Sequence, residues 1–446
     1  MNSTPTTANS PSAITYASAG VDTHAGDRAV ELMKGAVART HGPGVVGGVG
    51  GFAGLYDLSV LGTYRKPYLA TSTDGVGTKV AIAQTMDIHH TIGYDLVGMV
   101  VDDIVVVGAK PLFMTDYIAC GRLVPERIAS IVTGIAAACQ SAGTALVGGE
   151  TAEHPGLLGL DEYDVAGAAT GIVEADAMLG PHKVGSGDVL IAMASSGLHS
   201  NGYSLVRAVL GQTWGKKYSS QSASPVEAGA GQTGAARAGV GGGGTGSADG
   251  GVAGAAPGGV AGGTGVLTAE LLGKHVDVLG RSLGEELLEP TRVYAAHCLE
   301  LAANTAAQVH AFTHVTGGGL AANLARVLPA GLFATVDRGS WQVPPIFGLV
   351  RDLGRVPVSD LEGTLNMGVG MVAIVGAEGA DAALAHCQRM GLPAWVLGTV
   401  ASLDGEGQWA GGQHTGGGAG LSTTDLVAGT KGVQGGAVQM TGSYRM

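Results

Sequence analysis

Four short segments concentrate the residue types that can handle phosphate and a hard metal ion. TSTDGVGTK (residues 71–79) runs from a β-branched stretch through Thr73 into Asp74, then Gly75 and Gly77, then Thr78 and Lys79. An acid at a strand end beside a glycine turn can hold Mg²⁺, and a Thr-Lys pair can meet phosphate oxygens. The same letters also spell an ordinary Asp-Gly turn. In TIGYDLVGMVVDDIVVVGAKP (91–111), a helix would put Asp95 and Asp102, seven residues apart, near one face, with Asp103 adjacent. Carboxylates inside an apolar stretch are costly unless paired or bound to metal, so this segment is predicted to handle metal or phosphate. GGETAEHPG (148–156) places Glu150 and Glu153 in a Gly-rich turn. With Asp74 and Asp103 they make a set of hard oxygen ligands, and Mg²⁺ takes only a few such carboxylates beside substrate phosphates. GGVGGFAGLYDL (47–58) carries Gly47, Gly48, Gly50 and Gly51. These permit positive φ and let backbone N–H groups approach an anion, although a glycine hinge reads equally well.

Two further segments lie in the second half. SSGLHSNGYSLVR (195–207) and HVTGGGLAANLARVLP (314–329) set small residues directly before a helical pattern. That arrangement presents a helix amino-terminus to an anion. His199 and Asn201 sit in the first turn, and Gly317, Gly318 and Gly319 in the second. A lone histidine in such a turn is as readily structural as functional.

These segments need elements to position them. Val30, Met33 and Val37 recur at helical spacing, as do Ile128, Ile131, Val132 and Ile135. Pro125 stands where a first-turn proline is tolerated, and Gly143 lies just past the helix end. β-branched runs at residues 68–73, 164–173, 188–194, 332–337, 369–375 and 395–400 predict strands between such helices. The alternation predicts an α/β or α+β fold. At 446 residues the chain exceeds one ordinary core, so two domains are expected. The polar, turn-rich stretch 173–188 marks their boundary.

Glycine contributes 79 residues and charged residues only 13%. Part of that glycine lies in residues 214–265, which have no periodic apolar face and read as a disordered insertion. Deleting residues 222–263 is expected to leave turnover intact, checked by assay of the shortened chain. Residues 1–13 read as a disordered tail, at most a remnant of organelle targeting. Residues 403–446 read as a flexible Gly-rich tail. That leaves domains at 14–178 and 179–402. A formal net charge of -12 without a basic stripe argues against nucleic acid. No apolar run reaches the ~18 residues needed to span a bilayer. The scattered Cys120, Cys139, Cys298 and Cys387 suggest neither a disulfide framework nor a zinc site, and fit a reducing compartment, cytosol or plastid stroma.

Together, TDGVGTK, the D-x4-GAxP pattern from Asp103, GGETAE, SSGLHSNGYSLVR, LLEPTRVY and TGGGL follow one another in the order and spacing of one enzyme family. The chain resembles phosphoribosylformylglycinamidine cyclo-ligase, also called aminoimidazole ribonucleotide synthetase, from about Ile14 to about Val400. The resemblance implies a homodimer whose amino-terminal sheets pack into a barrel-like interface, with a larger carboxy-terminal α/β domain. It implies ATP and Mg²⁺ in a cleft, and formylglycinamidine ribonucleotide as substrate. Lys34 would lie near ATP, under a loop at residues 47–51. Asp74, Asp103 and Glu150 or Glu153 would serve metal and phosphates, with Thr73, Gly75 and Thr78 nearby. Lys79 would neutralise developing charge, His199 and Asn201 would touch substrate or phosphate, and Gly317, Gly318 and Gly319 would meet a phosphate. The family usually has Asn where this chain has Asp102, which would add charge beside the metal. Its Arg-Thr-Phe-Asn appears here as Gly363, Thr364, Leu365 and Asn366. Related selenophosphate synthetases and hydrogenase-maturation dehydratases need an amino-terminal or carboxy-terminal cysteine, and this chain lacks both.

Overall fold

The structure, a computed structural model, describes residues 20–48, 51, 53–219, 267–402, 426–429 and 435–446. Residues 1–19, most of the predicted insertion, and Gly50 therefore lie outside the described residues.

The first half opens with α1 (Thr23–Ala38), whose N-cap Asp22 accepts from the His24 and Ala25 backbone N–H groups at 3.0 and 3.1 Å. A short pair, β1 (Val45–Val46) and β2 (Leu55–Tyr56), follows. The main sheet holds β3 (Pro67–Gly75), β4 (Lys110–Cys120), β5 (Ala145–Glu153) and β6 (Tyr163–Glu174), in the order β3-β6-β4-β5. Between β3 and β4 come α2 (Val80–Met86) and α3 (Ile92–Val105). Between β4 and β5 comes α4 (Pro125–Ala142), with Pro125 in its first turn and Gly143 left-handed at its end, φ 69°. β4 and β5 are parallel, so α4 is the crossover of a βαβ unit. The helices α3 and α4 cover one face of the sheet. The opposite face carries Leu69, Thr73, Thr115 and Tyr117 toward solvent.

The chain passes between Glu174 and Val189 into a second sheet. Its strands are β7 (Val189–Ala194), β10 (Val309–His314), β11 (Leu332–Asp337), β12 (Val369–Val375), β13 (Ala394–Ser402), β14 (Leu426–Ala428) and β15 (Ala437–Thr441), beside a small pair, β8 (His275–Val276) and β9 (Arg281–Ser282). The order is β10-β12-β7-β13-β11-β15-β14, and only β11 and β15 run parallel. Of the two predicted classes, the largely antiparallel sheets make this α+β. Around it lie α5 (Tyr203–Ser219), α6 (Ala269–Leu272), α7 (Leu283–Leu287), α8 (Ala295–Ala303), α9 (Gly319–Ala325), α10 (Pro345–Gly354), α11 (Val358–Glu362) and α12 (Ala380–Arg389). β12 is buried along its whole length, as its unbroken apolar sequence requires.

Two expectations about boundaries are corrected. The predicted insertion does not begin at Trp214: that side chain is buried inside α5, and its indole N–H donates to the Leu271 carbonyl at 3.3 Å. Residues 403–446 are not wholly a loose tail, because β14 and β15 extend the large sheet and bury Val438 and Met440. A strand that pairs with β11, about a hundred residues earlier, leaves no local signature in a Gly-rich stretch.

Candidate active site

The TDGVGTK turn ends β3, and α3 packs directly against that strand. Asp74 points to the helix-covered face, level with Gly167 of β6. Its carboxyl accepts from the Gly75 N–H at 2.7 Å. Burial, reinforced by the negative charge of Asp103, holds it above the usual carboxylate range. Asp103, near the end of α3, is 43% exposed and accepts from His314 Nδ1 at 2.9 Å. His314 ends β10 and is buried; its Nε2 has no partner. Burial alone would lower the His314 pKa, but the Asp103 hydrogen bond and the charges of Asp102 and Asp103 raise it above the ordinary value. Two carboxylates and a histidine drawn from both halves of the chain thus converge on one cleft.

The other wall is the 195–204 turn. Ser200 Oγ donates to the Val76 carbonyl at 2.7 Å, and Thr78 Oγ1 lies 3.3 Å from Ser204 Oγ. Asn201 donates to Met99 Sδ at 3.4 Å and lies beside Gly317. Asn366 braces this turn: its Nδ2 donates to the Gly197 carbonyl at 3.0 Å. His199 takes a left-handed φ of 60° and is buried. Its Nε2 accepts from the Ser196 N–H at 3.1 Å, which leaves the proton on Nδ1, where it has no partner. Burial depresses its pKa well below the ordinary value, so the ring is neutral. Gly319 is required for packing, because a Cβ there would sit 1.6 Å from the Glu362 carbonyl at φ 75°.

Several predicted site residues lie elsewhere. Lys79 is fully buried, and its ammonium donates to Asp95 Oδ1 at 2.7 Å, the Glu289 carbonyl at 2.7 Å and the His199 carbonyl at 3.2 Å. Three partners consume its three protons, leaving none for a reacting phosphate. Asp95 also accepts from the Thr291 N–H and hydroxyl at 3.0 and 2.6 Å. Asp102 accepts from the Tyr294 N–H at 3.0 Å, just before α8. Of the three acids on α3, two therefore fasten the EPTRVY segment of the second half, and only Asp103 faces the cleft. Gly98, between them on α3, has Thr291 where a Cβ would lie, at 2.7 Å. Asp102 faces the amino end of α8 rather than the cleft, and it reaches His314 and Asp103 only through its charge.

Burial raises the Asp102 pKa to about 7, against a backbone N–H that favours its charge. A carboxyl raised in the folded state stabilises at low pH, and that contribution is lost as pH rises through 7. Asp102→Asn keeps an acceptor for the Tyr294 N–H without the charge. Its melting temperature is expected to exceed wild type by several degrees at pH 8 and to approach it only below the ordinary aspartate pKa of 3.8, in calorimetry.

Glu150 and Glu153 do not join Asp74 and Asp103 within one chain. The pairing Asp74–Gly167–Asp116–Gly149 crosses the whole sheet, putting β5 about 14 Å from β3 at about 4.8 Å per strand. Glu153 instead caps local turns, accepting from the Asp22 and Leu123 N–H groups at 2.7 and 2.9 Å. Glu150 pairs with Tyr117 on the uncovered face. Among the described residues no group of three or more His, Cys, Asp or Glu side chains is arranged to hold a metal ion. Lys34 stands exposed on α1, 3.7 Å from Glu31. Gly48 and Gly51 line a cavity beside α1 and β5, and Gly47 precedes them with φ 89°. His314 was missed because its Gly-rich successors drew the reading. A histidine ending an apolar strand just before them was the available signal.

The fold and this cleft define a two-domain protein of the aminoimidazole ribonucleotide synthase type. The chain matches the AIR synthase related protein N-terminal domain over residues 55–173 and the corresponding C-terminal domain over residues 238–409. It is 42% identical to phosphoribosylformylglycinamidine cyclo-ligase of Geobacillus sp. (strain WCH70), over 87% of this chain and 96% of that one. It is 42% identical to the cyclo-ligase of Acetivibrio thermocellus, over 88% of this chain and 98% of that one. The chain belongs to the phosphoribosylformylglycinamidine cyclo-ligase family. Among solved structures, thiamine-monophosphate kinase from Stenotrophomonas maltophilia K279a superposes with a TM-score of 0.52 at 18% identity, covering 84% of this chain and 93% of that one. E. coli HypE, a hydrogenase maturation protein, superposes with a TM-score of 0.50 at 17% identity, covering 85% of this chain and 91% of that one. These two share the fold.

Proposed function

We propose that the chain closes the imidazole ring of aminoimidazole ribonucleotide from formylglycinamidine ribonucleotide, with ATP converted to ADP and phosphate. The observation that carries this reading is the 42% identity to cyclo-ligases along 96% of a relative's length. In the reaction, the amide oxygen derived from the formyl group takes the γ-phosphoryl group of ATP, and ADP leaves. The amine nitrogen then attacks the activated carbon, a C–N bond forms, the C–O bond breaks and phosphate departs. An O-phosphate leaves readily where an amide oxygen does not, so the protein's work is positioning and charge neutralisation.

Asp74 and Asp103 supply two oxygen donors beside each other, which suits Mg²⁺ carried in on nucleotide phosphates. Bound there, the ion would neutralise phosphate charge. His314 orients the Asp103 carboxylate through its Nδ1 contact. The neutral His199 and Asn201 form the substrate wall, with Thr78 and the 317–319 glycines beside them. Lys79 and Asp95 act by holding the two halves in register. The amino-terminal domain spans about residues 14–178 and the carboxy-terminal domain about 179–402, extended by the two added strands.

We read the protein as a homodimer through its first sheet. Among the described residues that sheet has unpaired edges at β3 and β5, and its outer face presents Leu69 and Tyr117 at 62% and 41% exposure. Closing two such sheets into a barrel would set β5 of one copy, with Glu150, beside β3 of the other. The four buried free thiols suit a reducing compartment such as the cytosol. No helix among the described residues is long and apolar enough to cross a membrane.

The mechanism is tested with substrate carrying ¹⁸O in the formyl-derived amide. The label is expected in the released phosphate. Unlabelled phosphate would show that the oxygen is not the phosphoryl acceptor.

A further inference from the structure

Both glycine turns of the cleft rest on one stretch of chain, residues 359–368, which runs from α11 to β12. A Cβ at Gly202, whose φ is 76°, would lie 2.3 Å from Leu365 Cδ2 and 3.0 Å from Thr364 Cγ2. Gly319 sits as tightly against the Glu362 carbonyl. Contacts this close, possible only without a side chain, make the place of each turn depend on the stretch it rests on. That stretch is anchored at two points. At Glu362, the Arg338 Nε and Nη2 donate to the two carboxylate oxygens, the second at 3.1 Å, while Nη1 donates to the Met440 carbonyl of β15 at 2.8 Å. The two side chains are only 16% and 18% exposed. A two-pronged pair of this kind fixes orientation as well as distance. At Met367, the carbonyl accepts from the Trp341 indole N–H at 2.9 Å. The Tyr444 ring lies against both anchors, 5.4 Å from the Trp341 ring and 5.9 Å from the Arg338 guanidinium. Arg445 closes the grip: its carbonyl accepts from the Val343 N–H at 2.9 Å, and its guanidinium donates to the Gly339 carbonyl. Residues 437–446 thus hold the 338–343 stretch, which in turn holds the stretch beneath both turns.

We propose that Arg338 and Glu362 are positioning residues for ring closure, through which β15 and residues 443–446 hold the two glycine turns at the spacing the ribonucleotide requires, an inference that rests on reading those turns as the substrate wall. Each turn carries its own internal brace. Asn366 donates to the Gly197 carbonyl in the first, and Asn323 donates to the Thr316 and Gly319 carbonyls at 3.2 and 2.8 Å in the second. Loosening the strut therefore shifts intact turns relative to each other instead of unfolding them. A shifted wall holds the bound substrate and the transition state less well by the same amount, which raises KM and spares kcat. Asp74 and Asp103 stand on the opposite wall, so the KM for ATP is unaffected.

The test pairs steady-state kinetics, each substrate varied in turn, with amide hydrogen exchange. Arg338→Met is expected to raise the KM for formylglycinamidine ribonucleotide about tenfold or more, with kcat and the KM for ATP within about threefold of wild type. A chain ending at Ser443 keeps the Arg338–Glu362 pair but loses the Tyr444 and Arg445 contacts, and the same KM should rise. Combining the two changes should be little worse than Arg338→Met alone, because both act through one stretch of chain. In both variants the amides of residues 196–204 and 317–320 should exchange about tenfold faster, while those of β12 exchange as in wild type. Should Arg338→Met fail to fold, the chain ending at Ser443 carries the same two readouts. The proposal is overturned if the ribonucleotide KM stays at its wild-type value, or if β12 loses protection together with the turns, the mark of a purely structural role. Absence of ring closure by the wild-type chain would remove the proposed reaction instead, and faster exchange confined to the two turns would still establish the strut.

Discussion

Asp103→Asn is expected to lower turnover by two orders of magnitude or more while leaving the melting temperature close to wild type. The Asp103 side chain is partly exposed to the cleft, so its own desolvation is small. Asparagine keeps an oxygen that can accept from His314 Nδ1, the one hydrogen bond that shapes this corner. The variant loses the charge. Preorganised charge at a phosphoryl-transfer site carries several kcal/mol of transition-state stabilisation, and removing one such group commonly costs a factor of about 10²–10³. Asp74→Asn should behave alike, and the double variant should be little worse than either single one, because the two carboxylates act as one unit. The measurement is ADP and amine product followed together, with calorimetry on the same samples. An Asp103→Asn enzyme at wild-type rate would move the phosphate chemistry away from this cleft.

Lys79→Met is expected to destabilise the protein by about 3–5 kcal/mol, the range found when one member of a buried ion pair is removed. Both side chains are 0% exposed, so Asp95 would be left charged and dry beside the Thr291 contacts. Burial already pushes the Asp95 carboxyl above its ordinary range, a sign that its charge depends on the lysine. The second change Asp95→Leu should recover a large part of the loss, since the stranded acid goes with it. Urea unfolding of wild type, both single variants and the double variant measures this coupling. A Lys79→Met protein as stable as wild type yet inactive would return Lys79 to the chemistry.

The two predictions separate roles that the sequence merges. TDGVGTK offers Asp74 and Lys79 five residues apart, and nothing local tells which one faces substrate. The answer lies in Glu289 and Thr291, some two hundred residues further along, which claim the lysine and its acid partner. The same holds for α3. Its periodicity put Asp95 and Asp102 on one face correctly, but that face is covered by EPTRVY. Elements with strong local signals were legible: α4 begins at Pro125 and ends before Gly143 as read, and the β12 run was read at residues 369–375. β14 and β15 were not legible, because β15 depends on pairing with the distant β11, and β14 on pairing with β15. The cleft's carboxylates were legible as acids beside glycine turns. His314 was not, since it shares its strand with His310 and Thr313 and is set apart only by Asp103, brought to it from the other half of the chain.

The most direct test of the central claim mixes purified protein with formylglycinamidine ribonucleotide, ATP and Mg²⁺ and follows ADP and the aromatic amine product together. Equal amounts of both, strictly dependent on the ribonucleotide, are the predicted result. ADP without amine product, or neither from a folded protein, would contradict the account.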